Sequence, residues 1–94
     1  MTRLADDLIL VRNAALPAGE VDGELIGLNI DLGECFGLDR IGTEIAAMTA
    51  EPISIAALIA RITERYDVSE GQCRADLEPF LRDLIETGLI RIQP

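Results

Sequence analysis

The chain has 94 residues, 49% of them hydrophobic, with Phe36, Tyr66 and Phe80 as its aromatics and a formal net charge of −9. That length supports one modest aliphatic core and no second one. Its 17 acidic residues face 8 basic ones, all arginine, which argues against a nucleic-acid partner, because affinity for phosphates comes largely from neutralising their charge.

The apolar runs fall far short of the roughly 20 residues that span a bilayer, and the N-terminus lacks a basic start with a cleavage site. A cytoplasmic protein with no membrane partner is expected. With no His and no Lys, neither a histidine-based triad nor a Schiff-base lysine can be assembled, so the chain is not expected to be an enzyme. Cys35 and Cys73 are too few for a structural zinc site, so no metal and no cofactor is expected. In a reducing compartment the two cysteines read as small hydrophobes rather than a disulfide.

Residues 1–7 are polar and expected to fray. Residues 8–11, Leu-Ile-Leu-Val, make a first strand, expected to pair with residues 25–30. Between them, residues 13–23 carry Pro17, Gly19 and Asp22-Gly23 and read as a long loop. Ile26, Leu28, Ile30 and Leu32 then alternate with Gly27, Asn29 and Asp31, the period of a strand with one buried face. Gly33 supplies a turn, and residues 34–38 run back as the second strand of a hairpin.

Asp39 can cap a first helix with apolar positions Ile41, Ile45 and Met48. Pro52 forces a break. Ser54 caps a second helix whose Ile55, Leu58, Ile59, Ile62 and Tyr66 form an amphipathic stripe. Ser69 and Gln72 fit a capping box for a third, with Cys73, Leu77, Phe80, Leu81, Leu84 and Ile85 as apolar positions and Gly88 as its end. Pro79 is expected to divide that helix near residues 76–78, at a cost of roughly 3 kcal/mol. An extended tail follows at residues 89–92. Leu28, Ile30, Ile45, Leu58, Ile62, Leu84 and Leu89 are expected in the core. The whole is an α+β domain spanning residues 1–94, winged helix-turn-helix-like, with a three-stranded antiparallel sheet followed by three α-helices.

Residues 33–48, GECFGLDRIGTEIAAM, resemble the turn, strand and first-helix pattern of PqqD-like proteins, the peptide-recognition domains (RiPP recognition elements) of ribosomal peptide natural-product pathways. The Ser54 start, Tyr66-Asp67-Val68 and the closing Thr87-Gly88-Leu89-Ile90 match in order and spacing, so the resemblance covers residues 24–92. Two departures reshape the expected pocket: Ala46 stands where the family usually has Trp, and Cys35-Phe36 replace paired aromatics.

The resemblance implies binding of a precursor's leader peptide as a strand added to the edge of strand three, beside helix three. By position it implicates Glu34, Cys35, Phe36, Gly37 and Leu38 on the strand, and Cys73, Arg74, Leu77, Glu78 and Leu81 on the helix. A stand-alone chain of this size most resembles the leader-binding proteins of lasso-peptide pathways, whose partner is a leader peptidase or other modifying enzyme. The alternatives are a peptide chaperone for a radical SAM enzyme and a winged-helix DNA-binding regulator. The acidic excess of helix three argues against the regulator. A thiol enzyme would need a base to activate Cys35 or Cys73, and none is near in sequence.

Overall fold

A computed structural model describes residues 4–93. Six strands and three helices follow in the order β1 (Ile9–Arg12), β2 (Ala18–Val21), β3 (Glu24–Asn29), β4 (Glu34–Gly37), α1 (Arg40–Met48), β5 (Ile53–Ser54), α2 (Ile55–Arg65), α3 (Glu70–Thr87) and β6 (Ile90–Gln93). The strands form two antiparallel sheets, ordered β5-β1-β6 and β2-β3-β4. The α+β class, with a three-stranded antiparallel sheet and three helices, is as the sequence suggests. The pairing differs.

β1 does not pair with β3. It lies between β5 and β6, with Leu10 opposite Ile53 on one side and Ile92 on the other. The residues expected as an extended tail supply that partner, because Gly88 (φ 88°) turns the chain back beneath α3. The vacant place beside β3 is taken by β2, from the segment expected to be a loop. Asp22 (φ 53°) and Gly23 (φ 80°) both adopt positive φ between the paired Val21 and Glu24, a two-residue hairpin turn of the type that favours Asp-Gly. The dipeptide joins two strands instead of interrupting them.

The buried face of the hairpin is the reverse of the one expected. Leu25 and Gly27 point inward, whereas Ile26, Leu28, Ile30 and Leu32 are exposed, so Leu28 (44% exposed) and Ile30 (70%) are not core residues. The ring of Phe36, opposite Gly27 in the β3–β4 register, occupies the space a side chain at position 27 would need. Glycine there admits an aromatic to the inner face, and the aliphatic positions turn outward.

The remaining expected core residues, Ile45, Leu58, Ile62, Leu84 and Leu89, are buried together with Leu10, Leu77, Leu81 and Ile90. The helix caps are local and form as read. Asp39 accepts a hydrogen bond from Gly42 N–H (2.7 Å), Ser54 from Ala57 N–H (3.1 Å) and Ser69 from Gln72 N–H (3.1 Å). The Gln72 amide does not complete the capping box. It donates forward to Asp76 Oδ1 at 2.9 Å.

Pro79 does not divide α3, which runs unbroken from Glu70 to Thr87. Both Pro79 and Ala75, the residue whose carbonyl loses its helical donor, are exposed, so water can take that carbonyl. Ile41, counted on the apolar stripe of α1, is exposed, and Gly42, Thr43 and Ala46 face the core in its place.

Residues 1–3 of the run expected to fray lie outside the described residues. Of the rest, Leu4 N–H donates to Glu78 Oε1 (2.8 Å), Ala56 N–H donates to the Asp6 carbonyl (3.0 Å), and the Asp6 carboxylate pairs with Arg74. No helix among the described residues is long and apolar enough to cross a membrane.

Candidate peptide-binding edge

Among the described residues β4 is an edge strand, because β3 is its neighbour on one side and no strand pairs with it on the other. Its hydrogen-bonding groups can be assigned from the ladder. Leu38 N–H donates to the Leu25 carbonyl at 2.8 Å, which makes 25–38 a hydrogen-bonded pair. Such pairs alternate along an antiparallel ladder, so 27–36 and 29–34 also bond, and Phe36 and Glu34 turn their backbone groups toward β3. The N–H and C=O of Cys35 and Gly37 therefore point to the open edge.

The end of this ladder is held by α1. Thr43 is buried, and its hydroxyl accepts from Leu25 N–H (2.8 Å) and donates to the Leu38 carbonyl (3.3 Å). One side chain thus bridges the two strands where their own pairing stops, and the β4–α1 junction is pinned through both its partners.

Two ties set the position of α3 against the hairpin. Near the turn, Asn29 Nδ2 donates to the Thr87 carbonyl at 2.6 Å. Near the other end of β4, Phe80 packs on the start of α1, where a Cβ at Gly42 would stand 3.2 Å from its ring. β4 therefore runs along α3 in the opposite direction, with Glu34 toward Thr87 and Leu38 toward Phe80. Helical spacing puts Asp76, Phe80, Asp83 and Thr87 on one flank of α3, the flank that carries both ties. Arg74 and Glu78 lie on the other flank, engaged by Asp6 and by Leu4. Cys73, Leu77 and Leu81 are buried between the flanks.

The expected strand residues are thus together on one edge, and the expected helix residues divide. Cys73 and Leu77 line the floor of a cleft of about 390 Å³ at the Asp39 end of β4, walled by Ile41, Ile62, Val68 and Phe80. Leu81 is fully enclosed, and Arg74 and Glu78 face away. Phe80 and Ile41, by contrast, reach the cleft although the expected site residues did not include them. The signal for Phe80 was its position three residues from Leu77 on the side away from Arg74.

At the cleft margin, Glu44 accepts hydrogen bonds from the Tyr66 hydroxyl and from Arg65 Nε and Nη2 (3.1 Å each). These donors, Tyr66 first, hold the Glu44 carboxyl below its ordinary value, and the same bond raises the Tyr66 hydroxyl. Burial raises the Cys73 thiol, the nearby Asp76 carboxylate adding to it. Cys35 is exposed and Cys73 buried, and both are free thiols. Among the described residues no three Cys, Asp or Glu side chains gather as metal ligands would.

A solved structure described as TbiB1 in complex with the TbiA(beta) leader peptide is similar to this chain, with a TM-score of 0.74, 28% sequence identity, and coverage of 85% of this chain and 93% of that one. A trans-enoyl reductase, FSL5, of Gibberella zeae is 38% identical over 45 residues, which is 48% of this chain and 12% of that protein. The chain thus spans about an eighth of that reductase's length, and the likeness carries nothing about its activity. The model of the family described as coenzyme PQQ synthesis protein D (PqqD) matches residues 24–90, from β3 through the start of β6. That span holds the open edge, the cleft and all three helices, and by it the chain belongs to the PqqD family.

Proposed function

We propose that this chain binds the leader region of a ribosomally synthesised precursor peptide as an added antiparallel strand along β4, without making or breaking a bond. The single observation that carries the reading is the open edge of β4, where the backbone groups of Cys35 and Gly37 point outward beside α3. The likeness to a protein solved with a leader peptide supports it, as does the absence of His and Lys from the chain. Edge amides supply affinity that depends little on sequence, and side-chain pockets supply selection.

A peptide antiparallel to β4 has its N-terminal residues beside Leu38 and Asp39. The residue that precedes the added strand therefore meets the cleft between α1 and α3, which takes an apolar side chain. The peptide is then handed to a leader peptidase or other modifying enzyme of the same pathway, with a lasso-peptide pathway as the nearest parallel. The family description favours one further reading, a peptide chaperone for the radical enzyme of a quinone-cofactor pathway.

The test is titration of a labelled leader peptide, from the precursor gene adjoining this chain's own, with amide chemical shifts recorded on the protein. A cognate leader should bind well above a scrambled one and move the amides of residues 34–38 and 76–87. Equal binding of the scrambled peptide, or shifts elsewhere, would overturn the reading. A leader from a quinone-cofactor pathway that binds better than a lasso leader would favour the chaperone.

A further inference from the structure

The cleft at the Asp39 end of β4 is apolar at its floor and anionic at its rim. Ile45, Ile62, Cys73 and Leu77 are buried at the floor, whereas Asp39, which caps α1, and Asp76, on α3, line the cleft from exposed positions. Its volume of about 390 Å³ lies within the range of sites that enclose a whole small ligand, so it is larger than one aliphatic side chain requires.

One part of the rim is closely defined. A Cβ built on Gly42 would stand 3.2 Å from Asp39 Oδ1 and 3.2 Å from Cε1 and Cζ of Phe80, so the carboxylate and the ring flank the same spot. A carboxylate beside an aromatic ring suits a cation, which gains from the ion pair and from the ring's negative face. Asp39 Oδ1 accepts from Gly42 N–H (2.7 Å) and Asp76 Oδ1 from Gln72 Nε2 (2.9 Å), and the second oxygen of each can accept from a ligand. The chain's own neighbouring cations lie elsewhere: Arg65 pairs with Glu44, Arg74 pairs with Asp6 on the opposite flank of α3, and Arg40 extends beside Gly23. The Cys73 thiol on the floor registers the field that results. Burial raises it first, and Asp76 and Glu70 add to that against the opposing Arg74.

We propose that this cleft selects leader peptides carrying an Arg or Lys next to an apolar residue, just before the strand that adds to β4. The apolar side chain and the methylene stem of the basic one fill the floor, and the cation meets Asp39 and Asp76 at the rim, against Phe80. The proposal rests on the peptide-binding reading above and names the class of leader that this site takes.

The experiment titrates two labelled peptides into the full-length protein: the leader encoded beside this chain's own gene, and the same leader with every Arg and Lys that precedes the β4-paired segment changed to Gln. The proteins are wild type, Asp39→Asn/Asp76→Asn, and Glu20→Gln/Glu51→Gln, a control that removes equal charge from exposed positions outside the cleft. Asn preserves the cap of α1. Wild type should bind the native leader at least about tenfold more tightly than the Gln peptide in about 0.05 M NaCl, with a smaller ratio in about 0.5 M. The cleft variant should bind the two peptides within about twofold of each other, and the control should keep the wild-type ratio. A native leader without a basic residue there, a wild type that does not distinguish the peptides, a folded cleft variant that still does, or a control that loses the ratio equally overturns the proposal. If melting curves show the double variant unfolded, Asp76→Asn, which touches no cap, takes its place and should lower the ratio at least about threefold. A native leader that binds wild type no better than a scrambled one defeats instead the function on which the proposal rests.

Discussion

Phe36 lies where a side chain at position 27 would be: a Cβ built on Gly27 would stand 2.3 Å from Phe36 Cζ and 2.8 Å from Cε2. The ring is part of the inner face and packs against the core. Gly27→Ala should therefore force the ring to move and destabilise the fold by roughly 1–3 kcal/mol, the usual range for overpacking. Thermal melts of Gly27→Ala, Phe36→Leu and the double variant check it. The double variant should be less destabilised than the sum of the two single changes, because the smaller side chain relieves the clash.

The two prolines that probe the peptide edge should act differently. Cys35 presents its N–H to the open edge, so Cys35→Pro should leave the sheet's own ladder intact and weaken leader binding by roughly 0.5–1.5 kcal/mol, the net worth of one hydrogen bond. Phe36 donates to β3, so Phe36→Pro should lower the melting temperature whether or not a peptide is present. Calorimetric titration together with circular dichroism melts separates the two outcomes.

Thiol reactivity should follow burial. Cys35 is exposed, whereas Cys73 is buried with its thiol raised by desolvation, so one thiol per chain should react quickly with an aromatic disulfide reagent at mild alkaline pH. The second should react only in denaturant. Mass spectrometry of the fast product should find the label on Cys35.

The Glu44 cluster ties α1 to the end of α2, and its contribution should disappear in acid. The Tyr66 hydroxyl and Arg65 hold the folded carboxyl below the ordinary 4.5, so the stabilisation is present above that value and is lost as pH falls through the lower folded one. Glu44→Gln should melt below the wild type at pH 7, and the gap should close as the pH is taken from 5 to 3. Melting curves of both proteins across that range test it. A gap of constant size would mean that the tie does not depend on the carboxylate's charge.

Much of this molecule was legible in the sequence wherever the signal was local. The caps at Asp39, Ser54 and Ser69, the stripe of α2, the turn at Gly33 and the helix end at Gly88 depend on residues within a few positions of one another, and each formed as read. The same local signals carried the family resemblance and the strand expected at residues 34–38, and the resemblance supplied the expectation that its edge is open. The partners of β1, the use of residues 18–21 as a strand and the facing of the β3–β4 hairpin were decided only by the tertiary structure. Period-two alternation shows which side chains share a face, and says nothing about which face meets the core. The fit of Phe36 over Gly27 chose the inner one, against the more aliphatic Ile26, Leu28 and Ile30. The two flanks of α3 were likewise equivalent by spacing until Asn29, Gly42 and the residues around Asp6 took their sides, leaving Phe80 at the cleft beside α1 and Arg74 on the opposite flank. These choices rest on packing between elements far apart in the chain, where the energy belongs to the pair and no single segment carries it.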